Sequence, residues 1–140
     1  SNLDLFYQKL GNHELGATAS DLVGNSASQT VDFRIIATPD STISDINRAF
    51  QLGWIAKANI KNQLINRIKL AVRVDKRIET IEQRLRDGSR IQKRVQKVEQ
   101  RLDKVLARSI LNDLKRQKGK GINDQAYDLL TEDINWLINN

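Results

Sequence analysis

The sequence predicts a mainly α protein: a small antiparallel helical bundle with a long helical hairpin, preceded by a β-hairpin. Three observations point there. Up to Pro39, polar and apolar residues alternate with the period of a strand. Beyond Pro39, apolar residues recur every three or four positions, and from Ile91 they settle into heptads. Glycines are few, and Gly53, Gly88, Gly119 and Gly121 fall where helices would stop. With 140 residues the chain suffices for one domain, or for one small domain beside part of another. The expected division is residues 1–38 and 39–140, with an arm over 75–118. The opening Ser1-Asn2 lacks Met and a signal-peptide pattern and reads as a tag remnant.

The first element is the hairpin. Gln29 to Ile35 alternates cleanly, with Val31, Phe33 and Ile35 on one face, and His13 to Ala19 alternates in part. Between them, Asp21-Leu22-Val23-Gly24-Asn25 supplies residues that tolerate positive φ and an Asp that bonds its own backbone. The expected loop is about five to eight residues. Two strands with one apolar face are marginal alone in water. That face therefore needs a cover, and the free edge invites strand exchange or a homodimer.

Helices follow. Ser41 or Thr42 is the expected first N-cap, with Thr42 and Asp45 resembling a capping box. Ile43, Ile46, Ala49 and Phe50 form its stripe, and Gly53 fits the position after the C-cap. Asn59 is the expected second cap. Ile60, Leu64, Ile68 and Ala71 then form a stripe, with Ile65 and Val72 beside it, running on through Ile78, Ile81 and Leu85. Asp87-Gly88-Ser89 reads as a turn with Ser89 as the next cap. Ile91, Val95, Val98, Leu102 and Val105 alternate spacings of four and three and are expected to face inward. Ile110, Leu111 and Leu114 widen that stripe. A last helix starts after Asn123 and turns Ala126, Leu129, Leu130, Ile134, Leu137 and Ile138 inward. Segments 60–86 and 90–118 make a hairpin roughly 40 Å long at 1.5 Å per residue. Its tip lacks aromatic residues, which predicts a thin seam and the most mobile part of the chain.

Charge is unevenly placed. Residues 1–66 carry a net −1, residues 67–120 a net +11 and residues 121–140 a net −4. Arg90, Lys93, Arg94, Lys97, Arg101, Lys104 and Arg108 are the candidate polyanion contacts, because a dense basic block attracts nucleic acid, wall polymer or anionic lipid. The other reading is a solvated helix face, partly neutralised by the acidic C-terminal helix. Against nucleic acid, the cations are interleaved with acids and lack aromatic stacking partners.

Two resemblances bear on the setting. Leu10-Gly11-Asn12-His13-Glu14-Leu15, Ala17-Thr18-Ala19-Ser20-Asp21-Leu22-Val23-Gly24-Asn25 and Val31-Asp32-Phe33 resemble the last strands of a bacterial immunoglobulin-like domain. The resemblance covers about 35 residues and implies a sandwich whose earlier strands lie outside this chain. Thr42-Ile43-Ser44-Asp45-Ile46, Leu52-Gly53-Trp54-Ile55, Ile110-Leu111-Asn112-Asp113-Leu114, Gly119-Lys120-Gly121-Ile122 and Ala126-Tyr127-Asp128-Leu129-Leu130 resemble a FIMAH-type helical module. Such modules close secreted multidomain bacterial proteins, often after immunoglobulin-like repeats. The stretch from Asp75 to Arg108 is longer and more basic than that pattern, and no functional residues carry over. The resemblances imply a secreted or cell-surface accessory region, with upstream domains of its parent and a wall polymer or protein as partners.

Chemistry finds little foothold. With Cys 0, thiolate metal sites, disulfides and a Cys nucleophile are excluded. His13 is the only histidine, so a His relay or a His-rich metal site is excluded too. Gly119-Lys120-Gly121 lacks the frame of a phosphate-binding loop and reads as a helix stop. Asp21 with Asn25 offers either a partial calcium site or an Asx-bonded turn. Asp128, Glu132 and Asp133 lie on one helix without an evident cleft. Trp54 and Trp136 suit either core packing or a ligand platform. No run approaches the roughly 18 apolar residues of a membrane span. The expectation is a non-catalytic region with no catalytic residue, cofactor or metal. The alternative is a helical interaction protein whose basic heptads self-associate or hold a polyanion.

Overall fold

The structure is a computed structural model and describes residues 3–85 and 90–140. The predicted turn and cap at 87–89, and with them the arm's tip, lie outside the described residues. Among the described residues the fold is mainly α, with four helices and an antiparallel β-hairpin at the N-terminal end. It divides into two compact units, Ser1–Ile36 and Ala37–Asn140.

The first unit opens with a single 3₁₀ turn over Leu5–Tyr7, where the Asp4 carboxylate accepts from the Phe6 N–H at 3.2 Å. Strands β1 (Gly11–Ser20) and β2 (Ser26–Ile35) pair antiparallel, with Leu15 opposite Val31 and His13 opposite Phe33. The loop is Asp21 to Asn25, closed by Asp21. Its Oδ1 accepts from the Val23 N–H at 3.0 Å and the Asn25 N–H at 2.8 Å, and its Oδ2 accepts from Asn25 Nδ2 at 2.8 Å. Gly24, at φ 90°, supplies the left-handed residue the loop needs. The face predicted to need a cover is only partly covered. Ile35 is buried, but Leu15 and Val31 remain 58% and 53% exposed.

The second unit packs four helices around one core. Helix α1 (Pro39–Gln51) starts earlier than the spacing predicts. Thr38, not Ser41 or Thr42, is the N-cap, and it forms a capping box with Ser41; Pro39 fills the first turn, where a missing N–H costs nothing. Thr42 is instead buried against the core. Gly53 ends the helix as predicted, at φ 76°, with Trp54 N–H donating to Ala49 O at 2.9 Å and Gly53 N–H to Phe50 O at 3.1 Å. Helix α2 (Ala58–Arg84) is capped by Lys57 without a side-chain bond, so Asn59 lies inside it rather than at its cap. Helix α3 (Arg90–Gln117) and helix α4 (Asp124–Asn139) complete the unit. Helix α4 starts after Asn123 as predicted, and Asn123 caps it, accepting from Ala126 N–H at 2.9 Å.

Ile46, Ala49, Ile55, Leu64, Leu114, Ile122 and Leu130 form the centre of the core. Burying each large side chain there stabilises the fold by roughly 1.5–3 kcal/mol. Two interhelix links run side by side and lock it. Ala56 N–H donates to Gly121 O at 2.8 Å, and Asn123 N–H to Trp54 O at 2.9 Å. Gly121 is buried in this crossing. A Cβ there would overlap the Ile60 Cδ1 methyl and lie 3.0 Å from Gln117 Oε1. Ile60 is itself buried and has little room to turn away. Gly121→Ala is therefore expected to cost about 1–3 kcal/mol in urea unfolding. Adding Ile60→Val, which deletes the obstructing methyl, should restore part of that loss; no recovery would refute the steric account.

Candidate functional site

Helices α2 and α3 run antiparallel. Arg67 lies 2.6 Å from Asp113 and hydrogen-bonds Ser109, while Asp75 bonds Asp103 nearer the tip. Farther along, Glu99 faces Glu82 and Glu79. These contacts define which way α3 points its charges. Its acids, Glu99, Asp103 and Asp113, all turn toward α2. Arg90, Lys93, Arg94, Lys97, Arg101, Lys104 and Arg108 are all exposed. Among the described residues Arg94, Lys97, Arg101, Lys104 and Arg108 enter no ion pair. The predicted contacts thus form one surface, and the interleaving acids do not share it.

The acids pay electrostatically for this arrangement. Burial pushes the Asp75 carboxyl up to about 6, with Asp103 beside it adding like-charge repulsion and a hydrogen bond to the protonated form. Glu99 is raised as well, by burial first and then by Glu82 and Asp103. A second like-charged pair joins α4 to α1. Burial and the neighbouring Asp45 carboxylate push Asp133 up to about 8, and Glu132 adds to the effect. On α4, then, Asp133 meets another acid, while Asp124 reaches Lys118 at 3.7 Å.

The predicted inward heptad needs correction. Val95 and Leu102 are half-buried, but Ile91, Val98 and Val105 are 55%, 58% and 60% exposed. On α2, Ile81 is exposed where the stripe expected it inside. The seam takes Gln92, Glu99, Asp103 and Leu106 instead, each partly buried. A cavity of about 150 Å³ opens where the arm leaves the bundle, walled by Val72, Ala107 and Leu137, with Asp75 and Asp103 at its edge. That is about the size of a benzene-binding void and below the roughly 300 Å³ of ordinary ligand pockets.

The remaining candidates resolve as structure. Asp21 spends both oxygens on its turn, and bonding from Asn25 holds its carboxyl below the usual range. His13 stacks on Phe33 at 5.5 Å, with Nε2 2.6 Å from Lys9 O. Trp54 packs against the core, and Gly119 at φ 74° is the helix stop. No helix among the described residues is long and apolar enough to cross a membrane. Comparison with protein-family models, curated proteins and solved structures gives no match.

Proposed function

We propose that this chain is a non-catalytic accessory region of a larger extracellular protein, and that it holds an anionic partner on the outer face of α3. The observation that carries the reading is the sorting of charge on that helix, acids inward and cations outward. A solvated helix gains nothing from turning its carboxylates toward one another, where they repel and lose water. The arrangement makes sense if the outer face must stay cationic. The half-exposed Leu15 and Val31 on the hairpin suit packing against further β-structure of the parent protein.

Heparin titrated at several salt concentrations tests the reading. Affinity should fall steeply with added salt, as ions released from the polyanion come to compete. The variant Lys97→Glu, Arg101→Glu, Lys104→Glu, Arg108→Glu should lose about tenfold or more. Absence of heparin binding at low salt would overturn it.

A further inference from the structure

We propose that the outer face of α3 is a docking seam for an acidic amphipathic α-helix of a partner protein, laid along Ile91, Val98 and Val105. This rests on the reading of α3 as the anion-binding face and names the partner. The three apolar residues are spaced by seven, so they form one line along the helix, about 21 Å from first to last. At about 100° per residue, Val98 points roughly 180° from Ala107. Ala107 belongs to the core cluster and walls the cavity shared with α4. The line therefore runs along the side of α3 turned away from α4. Three residues beyond each member stand Arg94, Arg101 and Arg108, a cationic rail beside the apolar line.

Helix α2 widens the seam. Arg67 bonds Ser109 across the hairpin. Leu70 lies one turn from Arg67 and Val105 one turn from Ser109, so Leu70, itself 47% exposed, borders the same face.

The seven-residue period selects the occupant. Helix-on-helix packing uses an apolar line at that spacing with charges beside it. A polysaccharide or nucleic acid recognises the cations but has no use for the apolar line. A second copy of this chain would set the arginine rail against itself. The acids of α3 that would relieve it, Glu99, Asp103 and Asp113, face α2. A partner helix with Leu or Ile at its inner positions and Glu at the flanking ones satisfies both features at once.

The test uses the full chain and a synthetic peptide of three heptads, with Leu at the inner and Glu at the flanking positions. Its own charge keeps it unfolded when free, so binding is read by calorimetry and by helix gained in circular dichroism. The variant Val98→Ser, Val105→Ser changes two exposed residues, and thermal melting verifies that it folds. The expected result is peptide binding that drops about tenfold or more in this variant, with heparin affinity unchanged. Undiminished peptide binding, or heparin binding with no peptide binding, overturns the docking seam and leaves the anion-binding reading intact. Loss of both in the unaltered chain overturns both. A dimer in sedimentation that the serine variant dissolves assigns the seam to a second copy and overturns the proposal. Binding to phosphatidylglycerol vesicles that the serine variant abolishes, without peptide binding, assigns it to a membrane and overturns it likewise.

Discussion

Replacing Asp133 by Asn is expected to stabilise the protein by about 1–3 kcal/mol at pH 8 and to change it little near pH 4. The side chain is buried, its Oδ2 has no hydrogen-bond partner, and its neighbour across α1 is another carboxylate, Asp45. Its carboxyl is raised from 3.8 to about 8. The folded state therefore keeps a proton that the unfolded chain gives up once the pH passes about 4. Wherever the native state binds more protons, stability falls as pH rises. The stability of the parent chain should decline from about pH 4 to pH 8 and then level off. An Asn amide mimics the protonated acid at every pH, so the variant should lack that part of the slope. Asp75, raised to about 6 beside Asp103, contributes a decline of the same sign that ends lower, near pH 6. Urea unfolding of both proteins across this range decides the matter. Equal stability at pH 8 and at pH 4 would sink the claim that Asp45 and burial strain Asp133.

The same side chains show how much of the molecule was legible in the sequence. The hairpin, its Asp21 loop, the Gly53 stop and the start of α4 after Asn123 could be read because each is local chemistry. The start of α1 was displaced because Thr38 and Pro39 compete with Ser41 and Thr42, and only packing shows that Thr42 is needed inside. The seven basic residues were legible as composition; that they share one surface was not. Periodicity treats apolar residues as inward, yet the seam of the arm takes Gln92, Glu99, Asp103 and Leu106 and leaves one apolar line of the heptad outside. On α3 the line of Val95 and Leu102 turned toward α2, and that of Ile91, Val98 and Val105 stayed out. The carboxyl seam did leave a trace. Ile68, Ala71, Asp75, Ile78, Glu82 and Leu85 keep helical spacing, so two acids stand in an otherwise apolar stripe.

Asp113→Asn, by contrast, is expected to destabilise the protein, by about 2 kcal/mol at neutral pH. Asp113 is as buried as Asp133, but its neighbours are cations: Arg67 Nε at 2.6 Å, and Arg116 one turn along α3. Removing the charge leaves Arg67, partly withdrawn from water between the helices, with Ser109 as its remaining partner. The figure stays below that for a fully buried pair because the Arg67 side chain is 34% exposed and Arg116 72%, so water shares in the loss. Arg67→Met should be costly too, since it leaves the buried carboxylate with the more exposed arginine. In a double-mutant cycle the pair should cost less than the sum of the singles. Two aspartates of equal burial, changed in the same way, are thus expected to move stability in opposite directions. If both variants stabilise, desolvation alone governs these helices and the sign of the neighbour is irrelevant. If they diverge, the neighbour decides, and the acids of the α2–α3 seam turn inward at a cost that Arg67 offsets at the base of the arm, while at Asp75 on α2 and Glu99 on α3 the facing groups are further carboxylates.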